Sequence, residues 1–384
     1  MTTTVYLIRH AEAEGNLYRR IQGQYDSRIT ELGMKQILAL RERFAHTQVA
    51  GVYSSDLTRA KTTAQAISTP RNLPIQTDPR LREVHMGHWE DKTWAQVQKE
   101  DGAELMAFAK DPVKWTIGES LATQIERVRE AILHIAKKHP GETVCIISHG
   151  NVIRTLLSSV YALPSERFSE ISHCDNTGVS LLEVTGNDIS LSYANDASHL
   201  DEQTSTFARQ NWWRKKSGFD ESNIDFTPLH LATQREEYLE ARRMAWEEIY
   251  GNLEGFSDVY LATAKEHVTL HPKALMAATA GDQTVGYIEL SPHRGALNKE
   301  GAISFFYLKP QFRGMGFGPQ LIGHAVSVYR KLGREKITLF VSKANLQAKS
   351  FYERFGFTVC GEEMGVQDML WKMEMDIRVI IREI

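Results

Sequence analysis

The chain opens on an apolar run, Val5-Tyr6-Leu7-Ile8, that stops at Arg9-His10, and a second run, Val144-Cys145-Ile146-Ile147, stops at Ser148-His149. Continuous apolar segments this short, bounded by polar or Gly-containing loops, read as strands buried on both faces. Val49 to Ser55 is a third. Helical patterns lie between them, over Thr30 to Ala45, Leu57 to Ser68 and Leu121 to His139. Strands alternating with helices predict an α/β fold, a parallel sheet with helices on both faces. In such sheets ligands bind at the C-terminal edge of the strands, where Arg9 and His10 are delivered. Gly178 to Val184 and Ile189 to Ala194 read as a closing hairpin turning at Gly186-Asn187.

At 384 residues the chain is longer than one core usually sustains. The pattern breaks down between Asn195 and Thr227, which divides the chain into a domain over 1–200, a linker over 201–230 and a second domain over 231–384. Trp212-Trp213 and Phe219 make that linker an ordered one, because aromatic residues there pack on a neighbouring domain. A second pattern follows: a helix over Glu236 to Tyr250, strands near 274–280, 284–290 and 301–308, a helix over 316–332, a strand over 336–341, a helix over 345–354 and a strand near 368–376. A net charge of −3 with 24% charged residues gives no reason to expect nucleic acid or an anionic membrane as partner. Cys145, Cys174 and Cys360 lie far apart and read as reduced thiols. Without a signal-like start or a bilayer-length apolar stretch, a cytoplasmic location is expected.

An arginine beside a histidine suits attack on a phosphoryl group that the arginine holds. Arg59 lies just after a strand, in Ser54-Ser55-Asp56-Leu57-Thr58-Arg59-Ala60. Glu83 precedes Gly87-His88-Trp89-Glu90, and Asn16 closes the segment that begins at Arg9. Together with Ser148-His149-Gly150, Gln22-Gly23 and Gly118-Glu119-Ser120, these motifs resemble the histidine phosphatase superfamily, in its phosphoglycerate mutase-like branch. The resemblance covers the first half of the chain and implies an α/β/α sandwich. It implies that His10 attacks phosphorus as a neutral imidazole and forms a phosphohistidine. Arg9 and Arg59 would clamp the phosphoryl oxygens, and His149 would donate to them as charge spreads. Glu83 would protonate the leaving alkoxide and then take a proton from water. Asn16, Gln22 and Gly23 would line the substrate site, and no metal is implied. Ala11 and Ala13 depart from the commoner glycine and threonine, and Asp91 stands where glycine is usual. The short stretch between Glu83 and Gly118 favours hydrolysis over phosphoryl return. Arg19, Arg20 and Arg28 are candidates for a second anionic group or for solvated positions; His85 and His88 read as rim residues.

In the second half, Gln311-Phe312-Arg313-Gly314-Met315-Gly316-Phe317-Gly318 follows the strand Ala302 to Leu308 and opens a helix. Glycines there let backbone N–H groups face a phosphate at a helix N-terminus. A dinucleotide fingerprint fits poorly, since that strand is not N-terminal in its domain. The segment resembles motif A of the GNAT acetyltransferases, and Asn345 to Phe357 resembles a later motif of that family. The resemblance implies a mixed α+β fold that takes acetyl-CoA as acyl donor. It places Arg313, Gly314, Met315, Gly316, Phe317 and Gly318 at the pyrophosphate, counts Leu308 among the cofactor-binding residues, and puts Asn345 on the CoA arm and Tyr352 as the acid that protonates the thiolate. For the base, Glu289 and a water chain are both open. The whole reads as a bifunctional enzyme acting on a small phosphate ester and an amine acceptor of one pathway. The alternatives are a phosphomutase in the first half, or one domain serving as a silent sensing or docking module.

Overall fold

The computed structural model describes residues 1–110, 115, 117–210 and 223–384. The chain divides into two compact units, one of Met1–Lys92, Val97–Phe219 and Val379–Ile384, the other of Thr93–Gln96 and Asp220–Arg378. No helix among the described residues is long and apolar enough to cross a membrane.

In the first unit, β1 (Thr3–Arg9), β2 (Gly51–Ser54), β3 (Ile75–Thr77), β4 (Thr143–Ser148), β5 (Val179–Thr185) and β6 (Asp188–Asp196) form one sheet in the order β3-β2-β4-β1-β5-β6. Strands β1 to β4 run parallel, and the hairpin β5–β6 closes one side antiparallel. Strict alternation along each strand explains the two-sided burial. Val5, Leu7, Val144 and Ile146 pack against the helices Leu121–Lys138 and Gly150–Val160. Ile8, Cys145 and Ile147 face the other way, against Glu31–Arg43 and Thr58–Ser68. Two further short helices, Trp94–Glu100 and Gly102–Lys110, lie between Glu83 and Gly118. Asp101 fastens this stretch by accepting from Trp89 Nε1 at 2.8 Å and pairing with His88 Nε2 at 2.7 Å.

The second unit is a seven-stranded sheet of β7 (Asp225–Pro228), β8 (Leu275–Ala280), β9 (Gln283–Ser291), β10 (Glu300–Leu308), β11 (Lys336–Ser342), β12 (Thr358–Met364) and β13 (Met369–Asp376), in the order β12-β13-β11-β10-β9-β8-β7. Only β10 and β11 pair in parallel, and their register runs from Glu300↔Lys336 to Ile303↔Leu339 and stops. The strands part beyond that point, next to a bulge between Ile303 and Phe305 where β10 meets β9. Tyr329 fixes the closed end: its ring lies where a Cβ on Gly301 would be 2.3 Å away, and its hydroxyl donates to Ala302 O at 2.6 Å.

In the second unit, three elements differ from the sequence reading. β7 lies inside the stretch read as linker and pairs with β8, so the second sheet begins before residue 231. β12 is an edge strand with two glutamates and a glycine and largely exposed side chains, which leaves no burial pattern to read. The helix Val259–Leu270 mixes β-branched residues into its turns and buries only Leu261, Ala264 and His267. Trp212, Trp213 and Phe219 lie outside the described residues.

Candidate active sites

The β1–β4 register pairs Ile8 with Ile147 and Arg9 with Ser148, so the next residue of each strand is a histidine at the same sheet edge. His10 N donates to Ser148 O at 3.0 Å, and the two imidazoles stand 5.1 Å apart, tilted by 60°. His10 Nδ1 is 2.7 Å from Ala11 O, a carbonyl that can only accept. The proton therefore sits on Nδ1, and Nε2 carries the lone pair. Burial, reinforced by Arg59 and Arg9, pushes the His10 pKa well below its usual range. Burial, Arg59 and His10 do the same to His149.

Arg59 is fully enclosed at the first turn of its helix. Its Nη2 donates to Gly23 O at 2.7 Å and its Nη1 to Tyr25 O at 3.0 Å. Arg9 Nη1 donates to Cys174 O. Arg9 Nε, Arg59 Nε and both His149 nitrogens are buried without a protein partner. Since buried donors are nearly always satisfied, the two guanidinium N–H groups and the one N–H of a neutral His149 define a demand for an anionic ligand. Glu83 lies beside it, its carboxylate accepting from Asn151 N at 3.1 Å and Val152 N at 3.2 Å, in the first turn of the helix that follows His149.

Several residues expected to touch substrate also brace the loops around it. Gly23 is needed because its φ is +51° and a Cβ would lie 2.4 Å from Glu90 Oε1; its part is the carbonyl that holds Arg59. Gln22 accepts from Ser27 Oγ at 2.8 Å and lies against Gly15. Asn16 Oδ1 accepts from Ala13 N at 3.1 Å, leaving only its NH2 for a ligand. Arg20 pairs with Asp91 at 2.8 Å and Arg28 with Glu14 at 2.8 Å, so neither is poised for a second anion. Asp91 adopts φ +62°, the left-handed conformation that glycine usually supplies, and its carboxylate anchors Arg20. Glu119 pairs with Arg127, which also donates to Glu83 O at 3.2 Å, so the Gly118-Glu119-Ser120 motif steadies the Glu83 segment. Sequence reasoning missed Asn176, whose Nδ2 donates to His10 O at 2.9 Å.

In the second unit, Gly314 and Gly316 have φ +76° and +83° with open space around them, just before the helix Phe317–Lys331. That is a backbone cradle at a helix N-terminus, beside the parting of β10 and β11, and it fits a pyrophosphate. Phe317 is buried and Met315 is 55% exposed. Gly318 serves helix packing, since a Cβ there would be 2.6 Å from Phe351. Arg313 is already engaged: it pairs with Glu248 and donates through Nε to Leu308 O at 3.0 Å, which occupies the Leu308 carbonyl as well. Asn345 Oδ1 caps the helix Leu346–Arg354 by accepting from Ala348 N at 2.9 Å. Tyr352 is buried among Phe306, Phe351 and Phe357, and burial raises its pKa, which keeps the phenol protonated at neutral pH. Glu289 is no free base. Burial opposes its charge, yet bonds from His267, Arg242 and Tyr238 hold its pKa below the ordinary carboxyl value.

The sequence model of the histidine phosphatase superfamily (branch 1) matches residues 5–197, half of the chain. The chain belongs to the histidine phosphatase superfamily. The acetyltransferase (GNAT) family model matches residues 235–357. The phosphatase domain is 33% identical over 204 residues to phosphoglycerate mutase-like protein 4 of Arabidopsis thaliana, covering 52% of this chain and 87% of the relative. It is 36% identical over 174 residues to a probable phosphoglycerate mutase GpmB of Serratia proteamaculans, covering 44% of this chain and 81% of the relative. Among solved structures, Bacillus stearothermophilus YhfR aligns with a TM-score of 0.50 and 35% identity over 51% of this chain and 98% of its own.

The buried histidines of the phosphatase domain predict an acid-labile fold. Both bind fewer protons folded than unfolded once the pH drops below the unfolded value of about 6.5. Stability contributed here is therefore full above that value and lost as pH falls below it. The urea midpoint should drop between pH 7 and pH 5.5, and a His149→Gln variant should show a shallower slope. An equal slope in that variant would assign the pH dependence to other groups.

Proposed function

We propose that the first domain is a phosphomonoesterase working through phosphohistidine, and that the second transfers an acetyl group from acetyl-CoA to an amine. The observation that carries the first reading is the group of buried, unpartnered nitrogens on Arg9, Arg59 and His149 beside a His10 whose Nε2 holds the lone pair. In the first half-reaction Nε2 attacks phosphorus, the P–O ester bond breaks, and Glu83 gives its proton to the departing oxygen. In the second, Glu83 takes a proton from water as it attacks phosphorus, and the P–N bond breaks to return neutral His10. Arg9, Arg59 and His149 meet the charge on the equatorial oxygens throughout. The reaction calls on no metal. The test is phosphate release from a panel of phosphorylated metabolites, with chelator present. Turnover indifferent to chelator supports the reading, and dependence on an added divalent ion refutes it.

The names of the mutase relatives favour one second reading, phosphoryl transfer back to an acceptor. Retention of label in a phosphorylated product, rather than release as inorganic phosphate, would establish it.

For the second domain, acetyl-CoA would supply an activated acetyl thioester. The Gly314–Phe317 backbone would hold its pyrophosphate and Tyr352 would supply a proton to the sulfur. A Gly316→Val substitution puts a β-branched residue at φ +83°. It should weaken CoA binding by at least about tenfold while phosphate release is unchanged; calorimetry that finds CoA bound normally would remove the loop from the site. Both domains acting on small metabolites of one pathway, in the cytoplasm, completes the reading. If products of one site are never substrates of the other, the shared pathway falls.

A further inference from the structure

The second unit takes four residues from within the chain of the first: Thr93–Gln96 belong to it, although Lys92 before them and Val97 after them do not. Thr93 Oγ1 donates to Ile224 O at 2.7 Å, and Ala95 N donates to Asn223 Oδ1 at 3.1 Å. Thr93, Asn223 and Ile224 are fully buried, so these bonds have no water to compete with them. Thr93 also opens the helix Trp94–Glu100: its hydroxyl accepts from Gln96 N at 3.2 Å, and its N–H donates to Gln96 Oε1 at 2.9 Å.

From Ile224 the bonds run on to the glycine cradle. Ile224 N donates to Gln320 Oε1 at 3.0 Å, and Gln320 Nε2 donates to Gly316 O at 3.3 Å, the residue from which the helix Phe317–Lys331 starts. From Thr93 the chain runs back, through one peptide bond, to Lys92. Lys92 O accepts from Ile21 N at 2.9 Å, and Ile21 O accepts from Asp91 N at 2.8 Å. Two residues beyond Ile21, Gly23 O holds Arg59 Nη2 at 2.7 Å, and Glu90 Oε1 holds Gln24 N at 2.8 Å. Hydrogen bonds and short stretches of chain thus link the cradle to the loop that carries Arg59. Close-packed interiors transmit strain, so fixing one end of such a series biases the other.

We propose that Thr93–Gln96 couples the two sites, so that CoA in the cradle tightens the hold of the phosphatase site on a phosphoryl group. A pyrophosphate on the loop amides fixes Gly316 and the first turn of its helix. Gln320 and Ile224 then hold Thr93, and the pairing of Asp91 and Lys92 with Ile21 holds the loop whose Gly23 carbonyl orients Arg59. The proposal rests on the CoA reading of the second domain and the phosphohistidine reading of the first.

Coupling between two binding equilibria is reciprocal, so it can be measured without the substrate of either site. Orthovanadate is the probe for the phosphatase site and CoA the probe for the cradle. Calorimetry on the full chain should find CoA bound at least about fivefold tighter with vanadate present than without it. Thr93→Val loses the hydroxyl and should bring that ratio close to one, with CoA affinity in the absence of vanadate held within about twofold. Thr93→Ser keeps the hydroxyl and should keep the ratio. Asn223→Ala leaves the helix cap of Thr93 intact, removes the contact to Ala95 N and should lower the ratio as well, which covers a Thr93→Val protein that does not fold. Wild type that binds both ligands but holds CoA no tighter with vanadate overturns the proposal, as does a folded Thr93→Val or Asn223→Ala protein that keeps the full ratio. Wild type that binds no CoA refutes the cofactor reading of the second domain, and wild type that binds no vanadate refutes the phosphohistidine reading of the first. Either would remove the coupling with it, and each is distinct from a failure of coupling between two occupied sites.

Discussion

Replacing His10 by alanine should slow phosphate release by at least about 10³-fold and abolish the covalent phosphoenzyme. In the proposed mechanism Nε2 of His10 would be the nucleophile, because Nδ1 is engaged with Ala11 O at 2.7 Å, which fixes both the tautomer and the ring. His149 cannot substitute without movement, since its ring centre is 5.1 Å away. Its two nitrogens lack protein partners, so the one that carries the proton is free to donate to a bound oxygen. The measurement is rapid quenching with a radiolabelled ester, followed by detection of acid-labile, base-stable label on the protein. Wild type and His149→Ala should both become labelled, the latter slowly, and His10→Ala should not. Label on a folded His10→Ala protein would move the nucleophile elsewhere and sink the assignment.

The outline of this site was legible because its parts lie at the ends of uninterrupted apolar runs. β1 and β4 are buried on both faces, so their sequences announce themselves, and the residues just beyond them fall at one edge. Arg59 was legible from its place just after β2. What pattern could not supply was the hydrogen-bond economy around those residues. Arg313 and Asn345 have the types a cofactor site wants, yet their polar atoms are engaged by Glu248, Leu308 O and Ala348 N. Gly23 and Gln22 match a motif, but the pattern did not show that they also brace Arg59 and its loop. Asn176 comes from a loop after the helices, and only the strand pairing of β1 with β5 carries it to His10. Glu289 was visible as an acid on a strand; that three donors neutralise it depends on two helices packing over that strand.

Arg59→Lys should lower kcat/KM by about 10² to 10³-fold, close to the loss on removing a principal transition-state donor. The guanidinium is fully enclosed and divides its work three ways: Nη2 holds Gly23 O, Nη1 holds Tyr25 O, and Nε is left with no protein partner. A lysine ammonium is a single point donor and cannot hold both carbonyls and a phosphoryl oxygen in one plane. The substitution therefore weakens the phosphate contact and loosens the loop over 22–28 together. Kinetics separate the two. Loss of the transition-state contact lowers kcat, whereas loss of loop order alone raises KM and lowers the thermal midpoint with kcat retained. A folded Arg59→Lys protein within tenfold of wild-type kcat would make Arg59 a brace for that loop, and Arg9 with His149 would then carry the charge of the transition state.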